Sequence, residues 1–200
     1  YDQAGLLWTL SLAGVQAGDP AERSAWLGIA AELRDFLRFG LRAPGSLLFS
    51  SGLNAETSGD EGGSYLLERD TEFPEPFARD RLPVVEGRLH LVPSFAPDMP
   101  VSEREALLTT ARERLGVVRA KLPEPERDDK LITEWNALAV CALLTYARAA
   151  RDQGAVADAL SILDTLCSES WSETGICRLA GRPLSGNFLS DAAALGLAIS

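Results

Sequence analysis

Two stretches of the sequence concentrate groups that can move protons or hold a polar ligand. One is Asn54-Ala-Glu-Thr-Ser-Gly-Asp-Glu-Gly-Gly63, the other Arg127-Asp-Asp-Lys-Leu-Ile-Thr-Glu-Trp-Asn136. Glu56 and Glu61 in the first, and Asp128 and Asp129 in the second, are candidate acid–base groups. Hydrolysis of a glycosidic bond needs two such carboxylates, roughly 5–10 Å apart across a cleft. Trp135 and Asn136 stand side by side, and an aromatic face next to an amide suits a sugar ring and its hydroxyls. Asn54 offers a second amide.

Each stretch also has a plainer reading. The first is equally a solvated turn. Oxygen ligands at alternate positions invite a calcium loop, but position twelve is Tyr65 instead of the bidentate glutamate such a loop requires. The acids of the second stretch also suit a helix start, where the macrodipole favours them and Thr133 can cap. Asp2, Gln3 and Asp191 are polar groups at or near the starts of apolar helices, so they read as caps, buried anchors or ligand contacts. No metal site and no cofactor is expected. His90 alternates with Leu89 and Leu91 on an expected strand, and Cys141, Cys167 and Cys177 have no base nearby in sequence.

Composition narrows the classes further. The chain has 200 residues, 46% hydrophobic and 24% charged, enough to bury a core and incompatible with wholesale disorder. A net charge of −10 argues against nucleic-acid binding, which needs a basic footprint. Residues 46–80 hold eight acids against two arginines, a local −6, whereas residues 81–130 hold nine of each sign. A single histidine excludes any site in this chain that needs two, and the absence of a C-x-x-C pair excludes zinc ribbons and thioredoxin-type centres. The apolar run Ala137–Leu144 is far too short for a bilayer span, and the isolated cysteines suit a reducing cytoplasm.

Periodicity then supplies the elements that must carry these residues. Helices are expected over 1–17 and 20–41, the second opened by Asp19-Pro20-Ala21-Glu22 and stopped by Pro44-Gly45. A β excursion follows over 46–95, with strands at Ser46–Leu53 and Ser64–Glu68 and a hairpin through Glu86-Gly87. Helices return over 102–122, where Ser102-Glu-Arg-Glu reads as a capping box, and over 133–151, 154–170 and 187–200. The segment between 137 and 144 is apolar on all sides, which implies burial all round. Gly175–Ser185 reads as a loop. The expectation is a mainly α chain of helical hairpins, reading as a single piece of a larger protein.

Several stretches together carry a resemblance. Y-D-Q-A at 1–4, S-S-x-L-N-A-E-T-S-G-D-E-G-G-S-Y at 50–65, R-E-R-L at 112–115, R-D-D-K-L-I-T-E-W-N-A-L at 127–138 and S-D-A at 190–192 occur in family order. The chain resembles the thioredoxin-domain-containing proteins related to spermatogenesis-associated protein 20 (the YyaL type). The resemblance implies part of an (α/α) toroid of the six-hairpin glycosidase-like kind, with a thioredoxin-like domain upstream as partner. It implies a carbohydrate-type cleft in which Glu56, Glu61, Asp128 and Asp129 are the acid–base candidates. Trp135, Asn136, Asn54, Asp2, Gln3 and Asp191 would line it. Three positions depart from the family pattern: Asn54 replaces an aspartate, Leu67 a tryptophan and Ala192 a tyrosine. An amide cannot titrate, so a non-catalytic binding or structural module is the alternative. Paired-histidine epimerase chemistry has no support here.

Overall fold

The structure is a computed structural model that describes residues 1–57, 59–64, 75–77, 84–85, 88–89, 92–183 and 186–200. It is mainly helical, with six α-helices among the described residues: α1 Asp2–Gln16, α2 Pro20–Asp35, α3 Val101–Arg119, α4 Thr133–Ala150, α5 Gln153–Ser170 and α6 Leu189–Ile199. None of them is long and apolar enough to cross a membrane. The chain divides into two units, Tyr1–Leu53 with Arg127–Ser200, and Asn54–Glu126.

In the first unit α4 is the centre, packed against α1, α5 and α6, while α2 folds back on α1. Ala137, Ala139, Val140, Cys141, Ala142 and Leu143 are all buried, so the expected all-round burial is what the helix shows. Leu7, Leu143, Ile162, Leu166 and Leu195 close the core around it, each fully buried side chain contributing about 1.5–3 kcal/mol. The α1–α2 hairpin is tight because Gly14 lacks a side chain: a Cβ there would lie 2.8 Å from Leu27 Cδ2. Asp19 accepts from the Glu22 N–H at 3.2 Å and Pro20 occupies the first helical position, as the sequence pattern predicts. Asp152 caps α5 in the same way through the Ala155 N–H at 3.0 Å.

The helix expected over 20–41 changes pitch at its end, where Phe36–Leu41 winds as a π-helical turn. Gly40 lies against the Phe36 ring, and a Cβ at residue 40 would stand 2.8 Å from it. The wide turn is therefore tied to a residue without a side chain. Ion pairs lock this end of the hairpin to α5: Arg34 to Asp152 at 3.1 Å, and Arg38 and Arg42 to Asp158 at 3.2 and 3.1 Å.

The expected strand Ser46–Leu53 shrinks to β1 Gly52–Leu53. It pairs antiparallel with a second short strand, Arg127–Asp128, in the register Gly52↔Asp128 and Leu53↔Arg127. Proximity in sequence could not reveal that pairing. A two-stranded hairpin pairs Trp171–Ser172 with Gly175–Ile176, its second strand at the start of the stretch expected to be loop.

The second unit holds α3 and two short hairpins, the first of them within Asn54–Gly63, a stretch the sequence reads as a polar loop. Glu56–Thr57 pairs with Asp60–Glu61, and Val84–Val85 pairs with Arg88–Leu89. The second pairing is the hairpin read from Glu86-Gly87, whose own two residues lie outside the described set. Most of the expected strand Ser64–Glu68 lies outside it too, and Ser64 itself sits in a turn. The α3 helix presents Ala111, with Leu108 and Leu115, to Phe77. The expected capping box at Ser102 does not form. The helix begins one residue earlier, with Pro100 in the capping position and no side-chain cap, because proline already pre-sets the backbone there.

Asn136 is the polar pin of the first unit. It is fully buried in the first turn of α4 and accepts from the Phe49 N–H at 2.7 Å. It also donates to the Phe49 and Ile132 carbonyls at 3.0 Å each. Replacing it with alanine strands the Phe49 N–H and carbonyl, while the Ile132 carbonyl keeps the backbone N–H of residue 136. Asn136→Ala is expected to lower unfolding stability by about 2–4 kcal/mol, read as a shift of the urea midpoint at unchanged slope.

Candidate functional site

Three helices of the first unit, α1, α4 and α6, start at one place. The Tyr1 and Trp135 rings meet with centroids 5.0 Å apart and planes tilted by 54°. From the other side, Asp191 in the first turn of α6 accepts from the Glu134 N–H of α4 at 3.0 Å. Each helix start leaves unpaired N–H groups and a partial positive charge, which draw carboxylates. Asp2, Glu134 and Asp191 are the first-turn acids that answer this.

Arg178 ties the cluster together. Its Nη1 reaches Glu134 Oε2 at 2.7 Å and Asp191 Oδ1 at 3.0 Å, and its guanidinium lies 5.5 Å from the Phe188 ring centroid. The hydrogen bond from Arg178 holds the Glu134 carboxyl below its ordinary range, and the same contact raises the Arg178 guanidinium. Glu134 is therefore ionised at neutral pH, and its rotamer is held. Thr133 is not a cap. It sits inside the helix, where its hydroxyl donates to the Cys177 carbonyl at 2.7 Å and meets the Ser170 hydroxyl at 3.1 Å. The capping position belongs to Ile132, which has no side-chain acceptor to offer.

Asp128 and Asp129 precede α4 rather than opening it. Asp128 lies in the short strand paired with β1, where Lys130 Nζ contacts it at 2.7 Å. Hydrogen bonds from Lys130 first, and from Ser51, lower its carboxyl, which suits a base or nucleophile better than a proton donor. Asp129 is exposed. In the second unit Glu56 and Glu61 face one another across the hairpin, both exposed, a like-charge pairing that costs stability. Asn54 is exposed, and its N–H donates to the Glu126 carbonyl at 2.7 Å. Thus Glu56, Glu61 and Asn54 belong to one unit, and the remaining candidates to the other.

The structure corrects two of the expected ligand contacts. Asn136 offers no free group to a sugar, because its amide is engaged with Phe49 and Ile132 behind a closed surface. Asp191 is 0% exposed, and its Oδ1 is used by the fold. Asp2 is exposed and Gln3 half-buried at the start of α1. Two residues escaped the sequence reading: Glu134, inside the quoted motif, and Arg178. An acid within an apolar helix start is the signal that would have found them, since a buried carboxylate demands a cation.

Burial raises the Cys141 and Cys167 thiols, which makes them poor nucleophiles at neutral pH. All three cysteines are free. Among the described residues no group of three or more histidines, cysteines and acids is arranged to hold a metal ion. His90, Tyr65 and Leu67 lie outside the described set. Compared with known proteins, the chain matches no family model and no curated sequence.

Two outcomes follow from this geometry. Arg178→Met leaves Asp191 charged and buried without its partner, so it is expected to cost about 3–5 kcal/mol in chemical denaturation. Adding Asp191→Asn should recover part of that loss. Because the folded Glu134 pKa lies below its unfolded value, its contribution is present above that value and lost as pH falls through the folded pKa. Thermal midpoints from about pH 6 down to about pH 3 should therefore fall less steeply in Glu134→Gln than in the unmodified protein.

Proposed function

We propose that the chain is part of an (α/α) toroid of the six-hairpin glycosidase-like kind, and that the shared start of α1, α4 and α6 binds a carbohydrate. The observation that carries this reading is the Tyr1–Trp135 aromatic pair beside the ionised Glu134. A sugar presents an apolar C–H face to an aromatic ring and hydroxyl donors to a carboxylate, and both complements stand together here. The parent protein is a thioredoxin-domain-containing protein of the spermatogenesis-associated protein 20 kind. The upstream thioredoxin-like domain is its partner, and the cytoplasm, in keeping with three free thiols, its compartment.

If the site turns substrate over, Asp128 is the ionised base or nucleophile and Asp129 the other acid–base candidate of the same unit; Glu56 and Glu61, the remaining acid–base candidates, belong to the second unit. A second reading, a non-catalytic binding or bracing module, is favoured by one observation. The Asn136 amide and Asp191 Oδ1, both expected at a ligand, are engaged by the fold itself.

Calorimetric titration of oligosaccharides and monosaccharides onto the full-length protein, followed by a turnover assay on any that bind, separates these readings. Trp135→Ala is expected to weaken sugar binding about five- to thirtyfold, from loss of about 1–2 kcal/mol of stacking. Under the catalytic reading Asp128→Asn abolishes turnover with binding retained. Under the non-catalytic reading no turnover is found in either protein.

A further inference from the structure

Phe188 stands in the capping position of α6, and 56% of it is exposed. Its ring is held in place all the same. The Arg178 guanidinium lies over it, 5.5 Å from the centroid. Gly186 packs against it, where a Cβ would stand 3.4 Å from Phe188 Cε2. Gly186 has a φ of +92°, a conformation that favours glycine, and its carbonyl accepts from the Arg178 N–H at 2.8 Å. Backbone and guanidinium thus fix a ring that stays more than half open to water. An aromatic surface that is both fixed and exposed loses little freedom when a ligand stacks on it.

Arg178 also makes this ring continuous with the candidate site. The guanidinium that covers Phe188 holds Glu134 through Nη1 at 2.7 Å, and both of those charged side chains are partly exposed. Trp135 follows Glu134 in the first turn of α4 and is itself half-buried. The Glu134–Arg178 pair therefore has an aromatic residue attached to each member, Trp135 from α4 and Phe188 from α6. A pyranose ring lays its C–H face on one aromatic ring, so an aromatic platform on each of two helices matches a ligand of two rings.

We propose that Phe188 is a second aromatic platform of the carbohydrate site, so that the ligand is an oligosaccharide with one ring on Trp135 and the next on Phe188. This rests on the carbohydrate reading above and adds the length of the ligand to it. The glycosidic linkage tethers the second ring close to its platform, so even a weak stack on Phe188 multiplies the affinity of the first.

Calorimetric titration of glucose, galactose, mannose, maltose, cellobiose and lactose onto the full-length protein tests this. At least one disaccharide is expected to bind tenfold or more tightly than any of the three monosaccharides. In Phe188→Ala that preference should vanish while monosaccharide affinity is retained, and in Trp135→Ala both classes should weaken. Phe188→Tyr keeps the ring and is expected to keep the preference, and the thermal midpoint of each variant reports whether its fold is intact. Equal affinities for monosaccharides and disaccharides, or a disaccharide preference that survives Phe188→Ala, overturn the second platform and leave the carbohydrate reading standing. So does a loss in Phe188→Ala that is the same for every sugar, which marks Phe188 as a brace of Arg178 alone. Absence of binding by all six sugars and by the wider saccharide set overturns both.

Discussion

The first turn of α4 is buried, and a buried helix start cannot leave its N–H groups to water. The long-range hydrogen bonds around Thr133–Asn136 answer that constraint. The Thr133 N–H donates to the Arg178 carbonyl at 2.9 Å and the Glu134 N–H to Asp191 at 3.0 Å. The Thr133 hydroxyl and the Asn136 amide then secure the chain on either side, at Cys177 and at Phe49. A carboxylate from α6 thus does the capping that no local residue supplies, and Arg178 makes its burial tolerable. Without the apolar surroundings of α4 none of these long-range bonds would be needed.

The same satisfaction of orphan groups builds the candidate site. Arg178, recruited to neutralise Asp191, has the geometry to hold Glu134 as well, and so fixes an ionised carboxylate beside two aromatic rings. The bracing of the fold and the candidate site therefore share atoms. The fold uses Asp191 Oδ1, and Oδ2 is left over. Asp128 differs: Lys130 is a neighbour in sequence, and Ser51, 77 residues away, reaches it through the short β pairing.

Much of the helical frame was legible because it is written locally. The apolar spacing of α1, the Asp19-Pro20 start of α2, the all-round apolar stretch of α4 and the Val84–Leu89 hairpin each follow from neighbours in sequence, and each stands where the pattern places it. Local rules failed where the deciding contact was distant or where backbone geometry pre-empted a side chain. Ser102 heads a good capping box, but Pro100 starts the helix before it. Thr133 is a good cap by type, yet its hydroxyl goes to Cys177, 44 residues away in sequence. The strand read over Ser46–Leu53 contracts because its partner, Arg127–Asp128, is just two residues long.

By itself, the sequence determined that this is a mainly helical chain with a fully buried central helix. It also determined that the polar residues of the 127–136 stretch sit where that helix begins, since hydrophobic periodicity, caps and turn residues act over a few positions. Only the tertiary structure decided which polar residues are consumed by the fold and which stay open. Asn136 and Asp191 went inward; Glu134 and Trp135 stayed partly exposed. The reason is that a side chain's role depends on whether its hydrogen-bond partners arrive from remote segments such as Phe49 and Arg178, and periodicity carries no information about those arrivals.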